Sequence, residues 1–196
     1  MERTDIPKRK PEPTFENVKV APLGYTSLKA YLSERGIPSE IALRHCHQVD
    51  YTLHDKSYFA IGFENVAGGY ELRNRFFKGC ISPKEVSVIR NGSQSCNVYE
   101  GFMDFLSALA LGIGNSNDHL VLNSVSNVEK AVRHLGEYSQ INCYLDNDDA
   151  GRRTLEVLRL HYKDKIADCS QFYGKAKDLN EHLQQSKKNR LRIRLK

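Results

Sequence analysis

The segment YLDNDDAGRRT, residues 144–154, crowds Asp146, Asp148 and Asp149 directly behind an apolar run and directly ahead of a basic one. Carboxylates so close repel unless a cation or shared protons neutralise them. A hard, oxygen-preferring ion that keeps waters and phosphates as further ligands meets that need, with Mg²⁺ first and Mn²⁺ as its substitute. Residues two apart in an extended stretch point the same way, so Asp146 and Asp148 can converge. Glu100, behind the apolar run CNVY, can join them if the two runs are neighbouring strands. Glu100, Asp146 and Asp148 thus read as a metal site for phosphoryl or nucleotidyl transfer. It would hold either two ions about 3.5–4 Å apart or one ion beside a free carboxylate acting as acid or base. A plainer role competes at Asp148, whose position suits the cap of a helix starting near Ala150.

Other strand exits carry polar groups too. Gly101 follows Glu100 and allows the backbone a close approach ahead of a helix bearing Asp104. KDLNEHL, residues 177–183, sets Lys177 and Asp178 between a last strand and a short helix. Lys175, Lys177, Arg152 and Arg153 could supply cations for phosphates; ordinary helix-surface charge is the alternative, and the better one for Arg153.

These side chains need a frame. From Ser95 onward short apolar runs alternate with amphipathic ones: CNVY, FMDFLSALALG, HLVLN, SNVEKAVRHLG, INCYL, AGRRTLEVLRLHY and IADCS. Strands apolar on both faces and joined by helix-length connections predict a mostly parallel sheet covered on both sides, with its functional crevice at the carboxyl ends of the strands. Upstream, Thr26 is placed to cap a helix carrying Leu28, Tyr31 and Leu32, which Gly36 ends, and a second short helix follows Pro38. SYFAIGFENVAGGYELRNRFF and EVSVIRN read as strands, the first stretch turning at Gly68-Gly69. The expected organisation is a lead-in or linker over 1–21, a small α+β lobe over 22–92, an α/β domain over 93–185 and a basic tail over 186–196.

The 196 residues suffice for a sizeable core, and 40% hydrophobic with 27% charged residues is the composition of an ordinary soluble protein. No apolar run approaches bilayer length and the N-terminus lacks a secretory signal, so a cytoplasmic protein without membrane contact is expected. Five scattered cysteines, Cys46, Cys80, Cys96, Cys143 and Cys169, read as reduced structural thiols. The net charge of +5 gathers in KKNRLRIRLK at the C-terminus, a pattern that suits nucleic acid as well as a solvated end. Adjacent His45, Cys46 and His47 point in different directions on a helix, so no zinc site is expected there.

VYEGFMDFLSAL followed by YLDNDDAGRRT resembles the toprim signature, a Glu after one strand and Asp-x-Asp after a later one. That signature is shared by bacterial primases, type IA and type II topoisomerases and some nucleases. Glu-Gly-x-x-Asp with Asp-x-Asp-x-Ala-Gly looks most like the bacterial DNA primase branch, and KDLNEHL is similar to a segment of toprim proteins in phage and mobile-element primases. Asn147 and the extra Asp149 depart from the pattern and leave its two aspartates in place. YLSERGIPSEIALRHCHQV and GGYELRNRFFKG resemble, less specifically, the opening of a primase catalytic core, so the likeness spans about residues 22–185.

The resemblance implies a toprim, Rossmann-like α/β fold behind a small α+β lobe. It implies Glu100 as general acid/base or metal ligand, Asp146 and Asp148 as ligands of Mg²⁺, and Asp104 beside them as a further acidic participant. Gly101, Lys177, Asp178 and Asn180 would support these groups, and Arg73, Arg75 and Lys78 would contact template or phosphate. Implied partners are single-stranded DNA, nucleoside triphosphates, and a helicase or a separate zinc-binding module. The expected activity is primase-like nucleotidyl transfer in replication of a bacterial or mobile element. A toprim nuclease, or a nucleic-acid-binding module without activity of its own, is the alternative.

Overall fold

The computed structural model describes residues 14–194; residues 1–13 of the expected lead-in and 195–196 of the tail lie outside the described residues. Two five-stranded sheets organise the chain. The first is an antiparallel meander of β1 (Glu16–Pro22), β2 (His47–Leu53), β3 (Lys56–Glu64), β4 (Tyr70–Arg73) and β5 (Lys78–Ile81). Between β1 and β2 come α1 (Thr26–Glu34) and α2 (Ser39–His45). The second sheet is built from β6 (Ser87–Ile89), β7 (Ser95–Tyr99), β8 (Asp118–Val121), β9 (Gln140–Tyr144) and β10 (Ile166–Asp168) in the order β10-β9-β7-β8-β6. Its four later strands are parallel and β6 closes one edge antiparallel to β8. The crossovers are α3 (Phe102–Leu111), α4 (Val128–Leu135) and α5 (Asp149–Tyr162), and α6 (Leu179–Arg194) follows β10.

The parallel sheet is covered on both faces, as continuous apolar strands require. One face, with Val98, Leu120, Ile141 and Cys143, packs under Leu135 of α4 and Leu158 of α5. On the other face Tyr99 and Val121 join a core that also takes in Leu28 and Leu32 of α1, Ile61 and Phe63 of β3, Phe105 of α3, and Leu179 and Leu183 of α6. Phe63 stacks on Phe102 with ring centres 5.2 Å apart, so the two sheets share one core. Each such fully buried side chain contributes about 1.5–3 kcal/mol.

Four local expectations change. Glu16–Pro22 is a strand paired with β2 and no part of a lead-in; as an edge strand with only Ala21 partly covered, it offers just the short Val18-Lys19-Val20 alternation, and both valines are exposed. β6 leaves the small lobe and joins the parallel sheet, Ser87 facing Val121, because a three-residue strand carries too little pattern to name its partner. Thr26 is the first helical residue; Gln48 Oε1 accepts from the amides of Gly24 and Tyr25 at 3.3 and 3.0 Å and does the capping from a neighbouring strand. Much of the basic tail continues α6 as far as Arg194. Gly36 ends α1 as expected, at φ +81°, with the Ile37 amide reaching back to Leu32 O. No helix among the described residues is long and apolar enough to cross a membrane.

Candidate functional site

β7 and β9 are parallel neighbours with Tyr99 opposite Tyr144, which brings Glu100 and Asp146 to adjacent exits on one rim. The segment leading into α6 folds over the same rim. The Lys177 ammonium stands between the aspartates, 3.4 Å from Asp146 Oδ2 and 3.8 Å from Asp148 Oδ2. Asp148 takes the capping role foreseen for it and leaves one oxygen for the rim. Its Oδ1 caps α5, accepting from the amides of Ala150 and Gly151 at 2.9 and 3.0 Å, and its Oδ2 faces Lys177.

The carboxylates differ in their electrostatics. Burial, reinforced by Asp146 and Asp148 and offset by Lys78 and Lys177, pushes Glu100 up to about 7. Its Oε2 is buried without a hydrogen-bond partner. Burial and then Asp178 raise Asp146, against the pull of Lys177. Asp104, 8% exposed, is held well above the carboxylate range by burial, then Asp178 and Asp146. The Gly151 amide, with that of Ala150, holds Asp148 low against its partial burial, so it stays ionised.

These groups line a cleft of about 750 Å³ between the two sheets. Glu100, Gly101, Asp104, Asp146, Lys177 and Asp178 form one wall; Arg73 and Lys78 of the antiparallel sheet form another. Asp178 caps α6, its Oδ1 accepting the Glu181 amide at 2.7 Å. Asn180 is wholly buried and does not line the cleft. Its amide NH₂ donates to Arg35 O at 2.9 Å and Ser107 Oγ at 2.8 Å, its Oδ1 accepts from Arg35 Nε at 2.6 Å, and its backbone N–H donates to Asp104 Oδ1 at 3.2 Å.

Three predicted cations are not brought to the cleft. Arg75 pairs with both oxygens of Glu34 at 2.5 Å, Arg152 pairs with Asp149 one helical turn away, and Lys175 is exposed outside the lining. Gly101 has an ordinary φ of −133°, and an added Cβ would stand 3.5 Å from Asp104 Oδ2, so the backbone does not demand glycine there. Gly151 is the glycine the rim needs: a Cβ would lie 2.1 Å from Asp146 O.

Sequence reasoning passed over several participants. Arg35, Glu71, Lys84, Asn123, Ser124 and Ser126 also line the cleft. Asn147 ties the β9 exit to the α6 approach: its side chain donates to Ala176 O at 2.9 Å and Gly174 O at 3.2 Å, and its backbone N–H donates to Lys177 O at 2.7 Å. The one sequence signal for it was an Asn where charge would otherwise continue. His45 and His47 diverge, the first against Phe105 and the second toward Tyr70. All five cysteines are reduced thiols, and burial pushes those of Cys46 and Cys96 up to about 12.

The fit of a divalent ion rests on this donor set. Among the described residues there is no group of three or more His, Cys, Asp or Glu side chains placed to hold a metal ion. Mg²⁺ does not require one, since it binds through one or two carboxylates and completes its shell with water and phosphate. The donors are hard oxygens, a cationic group already stands between two of them, and the third has an unpartnered oxygen. The residues fit the group.

Comparison with known proteins gives the same picture. Residues 97–183 match the Toprim-like family model, and residues 17–82 match a domain of unknown function, DUF8464. No curated protein matches the sequence. Among solved structures, the primase fragment of the bacteriophage T7 primase-helicase protein aligns with TM-score 0.65 at 19% identity, over 96% of this chain and 84% of that one. A chain from the bacteriophage T7 lagging-strand DNA polymerase assembly, with primase domains of two gp4 subunits bound to an RNA/DNA hybrid and dTTP, aligns with TM-score 0.59 at 19% identity. That match covers 90% of this chain and 91% of the other. With the parallel sheet, its acidic rim and the family match in agreement, residues 97–183 form a Toprim-like domain, and the chain as a whole has the fold seen in that primase fragment.

Proposed function

We propose that the chain is the catalytic core of a divalent-metal-dependent, primase-like nucleotidyltransferase acting on single-stranded DNA, in the replication of a bacterial or mobile element. The observation that carries this reading is the pair Asp146 and Asp148 gathered on Lys177, on the rim where Glu100 leaves the neighbouring strand with its Oε2 buried and unpartnered. Asp146 and Asp148, with Glu100 available as a third ligand, would hold Mg²⁺ or Mn²⁺. The bound ion neutralises phosphate charge and orients the reacting oxygens.

The chain's own residues supply the rest. Glu100, poised at about 7, is ionised in a large fraction near neutral pH and can take the proton of an attacking hydroxyl. Burial, then Asp178 and Asp146, raise the Asp104 carboxyl beside it, which favours its neutral form and lessens the negative charge that phosphates must approach. Arg73, Lys78 and Lys177 in the cleft walls face incoming triphosphate and template, where fixed cations stabilise developing charge. Lys177 would turn from the aspartates to the phosphates when an ion arrives. Arg75, Arg152 and Lys175 fit a more distant part of a bound strand. A helicase or a separate zinc-binding module would join the core as a partner.

The test is primer synthesis on a single-stranded template with labelled ribonucleotides and Mg²⁺ or Mn²⁺. Wild type is expected to extend, and Glu100→Gln and Asp146→Asn to lose at least about 100-fold in rate. Equal inertness of all three with DNA binding intact would establish a binding module instead. Metal-dependent cleavage without triphosphates would establish a nuclease.

A further inference from the structure

The β4–β5 hairpin presents an aromatic side chain that the site as described does not use. Phe76, at its tip, is 91% exposed, more than any other large hydrophobic residue among those described and far more than the next aromatic, Phe172 at 52%. The turn beneath it is fastened at several points. Asn74 Oδ1 accepts the Phe76 amide at 2.8 Å, the Asn74 amide donates to Phe77 O at 3.0 Å, and Asn74 Nδ2 donates to Phe59 O of β3 at 2.9 Å. Arg75 is anchored on Glu34 of α1. A single exposed apolar residue on a loose loop needs no explanation; a ring displayed on a fixed turn does.

The hairpin places that ring. Lys78 and Cys80 of β5 line the cleft, and Phe76 stands in the bend two residues before Lys78, so the hairpin runs from the cleft wall to a tip that carries the ring. Opposite β5, on β4, Glu71 and Arg73 also line the cleft, with Arg73 paired to Lys78 in register. The arrangement is a cationic floor that ends in an aromatic plate. Unpaired nucleic acid calls for that pair of features: phosphates track the charges and a base stacks on the ring, whatever its identity.

We infer that Phe76 is a stacking platform for an unpaired nucleobase of single-stranded nucleic acid whose phosphates run along Lys78 and Arg73 into the cleft. This rests on the reading of the chain as a single-strand-binding core. It adds a residue that grips the strand at the mouth of the cleft, well away from the carboxylates.

The experiment is fluorescence anisotropy with a labelled oligothymidylate and with an abasic strand of the same length and charge, each across a salt series. The full chain is used as wild type, Phe76→Ala, Phe76→Trp and Lys78→Ala. Phe76→Ala is expected to weaken oligothymidylate binding about tenfold with the salt slope unchanged, and to leave abasic binding at the wild-type level. Lys78→Ala is expected to weaken both strands alike and to reduce the slope by about one. Phe76→Trp installs the chain's only tryptophan, and its emission is expected to fall on addition of oligothymidylate but not of the abasic strand. Wild-type affinity in Phe76→Ala beside a weakened Lys78→Ala would overturn the stacking role and leave the nucleic-acid reading standing. Equal losses on both strands would overturn it as a fold effect. Absence of salt-sensitive binding by wild type would overturn the reading beneath it as well.

Discussion

Asp118 and Glu100 sit at opposite ends of the same parallel sheet and are treated in opposite ways. Asp118, 2% exposed at the start of β8, accepts from Tyr138 Oη at 2.7 Å and from the amides of Asn91 and Ser93 at 2.7 and 3.0 Å, with Arg90 at 4.0 Å. Burial alone would raise its carboxyl, but these donors and Arg90 outweigh it and hold the group below its usual range. Glu100, at the end of β7, keeps an oxygen buried without any donor. A carboxylate that holds the fold together is saturated by its own chain; one left unsaturated keeps an oxygen open to a partner from outside it.

Deletion sharpens that contrast most. Asp118→Ala is expected to cost about 3 kcal/mol in urea unfolding, because it strands three buried or half-buried donors at once. Glu100→Gln is expected to cost nothing in the same assay. An equal loss at both ends would erase the distinction between saturated and unsaturated carboxylates.

Titration tests it with sign. Asp118 is held low, so its contribution is present above the ordinary Asp value and is lost as pH falls through its folded value. Glu100 binds its proton more tightly folded than unfolded, so metal-free wild type should lose stability as pH rises from the ordinary Glu value to about 7. In EDTA, Glu100→Gln should therefore melt above wild type at pH 8 and match it near pH 5, as read by thermal unfolding.

Two smaller effects refine the picture. Lys177→Met removes the cation between Asp146 and Asp148 and should lower stability in EDTA at pH 8 by about 1 kcal/mol or less. Millimolar Mg²⁺ should then raise the melting temperature of the variant more than that of wild type; identical shifts would count against a shared cation position. Arg75→Ala breaks a surface pair whose side chains are each 53% exposed. Its cost should stay below about 1 kcal/mol and fade with added salt.

The acidic rim was readable in the sequence because strands buried on both faces leave an apolar signature, and the first polar residue after each marks its exit. Glu100 and Asp146 were legible for that reason. Asp148 was legible only as an ambiguity, and the fold resolves it by giving each oxygen its own duty. Asp118 escaped notice because its donors come from residues 91, 93 and 138, which no local pattern links to it. Asn147 and Gly151 escaped for a related reason: each answers to a backbone it meets only after folding. β1 was missed since its Val18-Lys19-Val20 alternation is short and faces solvent, and the pairing of Arg75 with Glu34 is one that charge alone does not reveal.

Asn180 joins the end of α1 to the start of α6 and to α3 through one side chain with no solvent exposure. Since Arg35 belongs to the first lobe and Ser107 to the second, that amide acts as a rivet across the slot between them. The spacing of the two walls at that end is thus held by bonds that solvent does not reach.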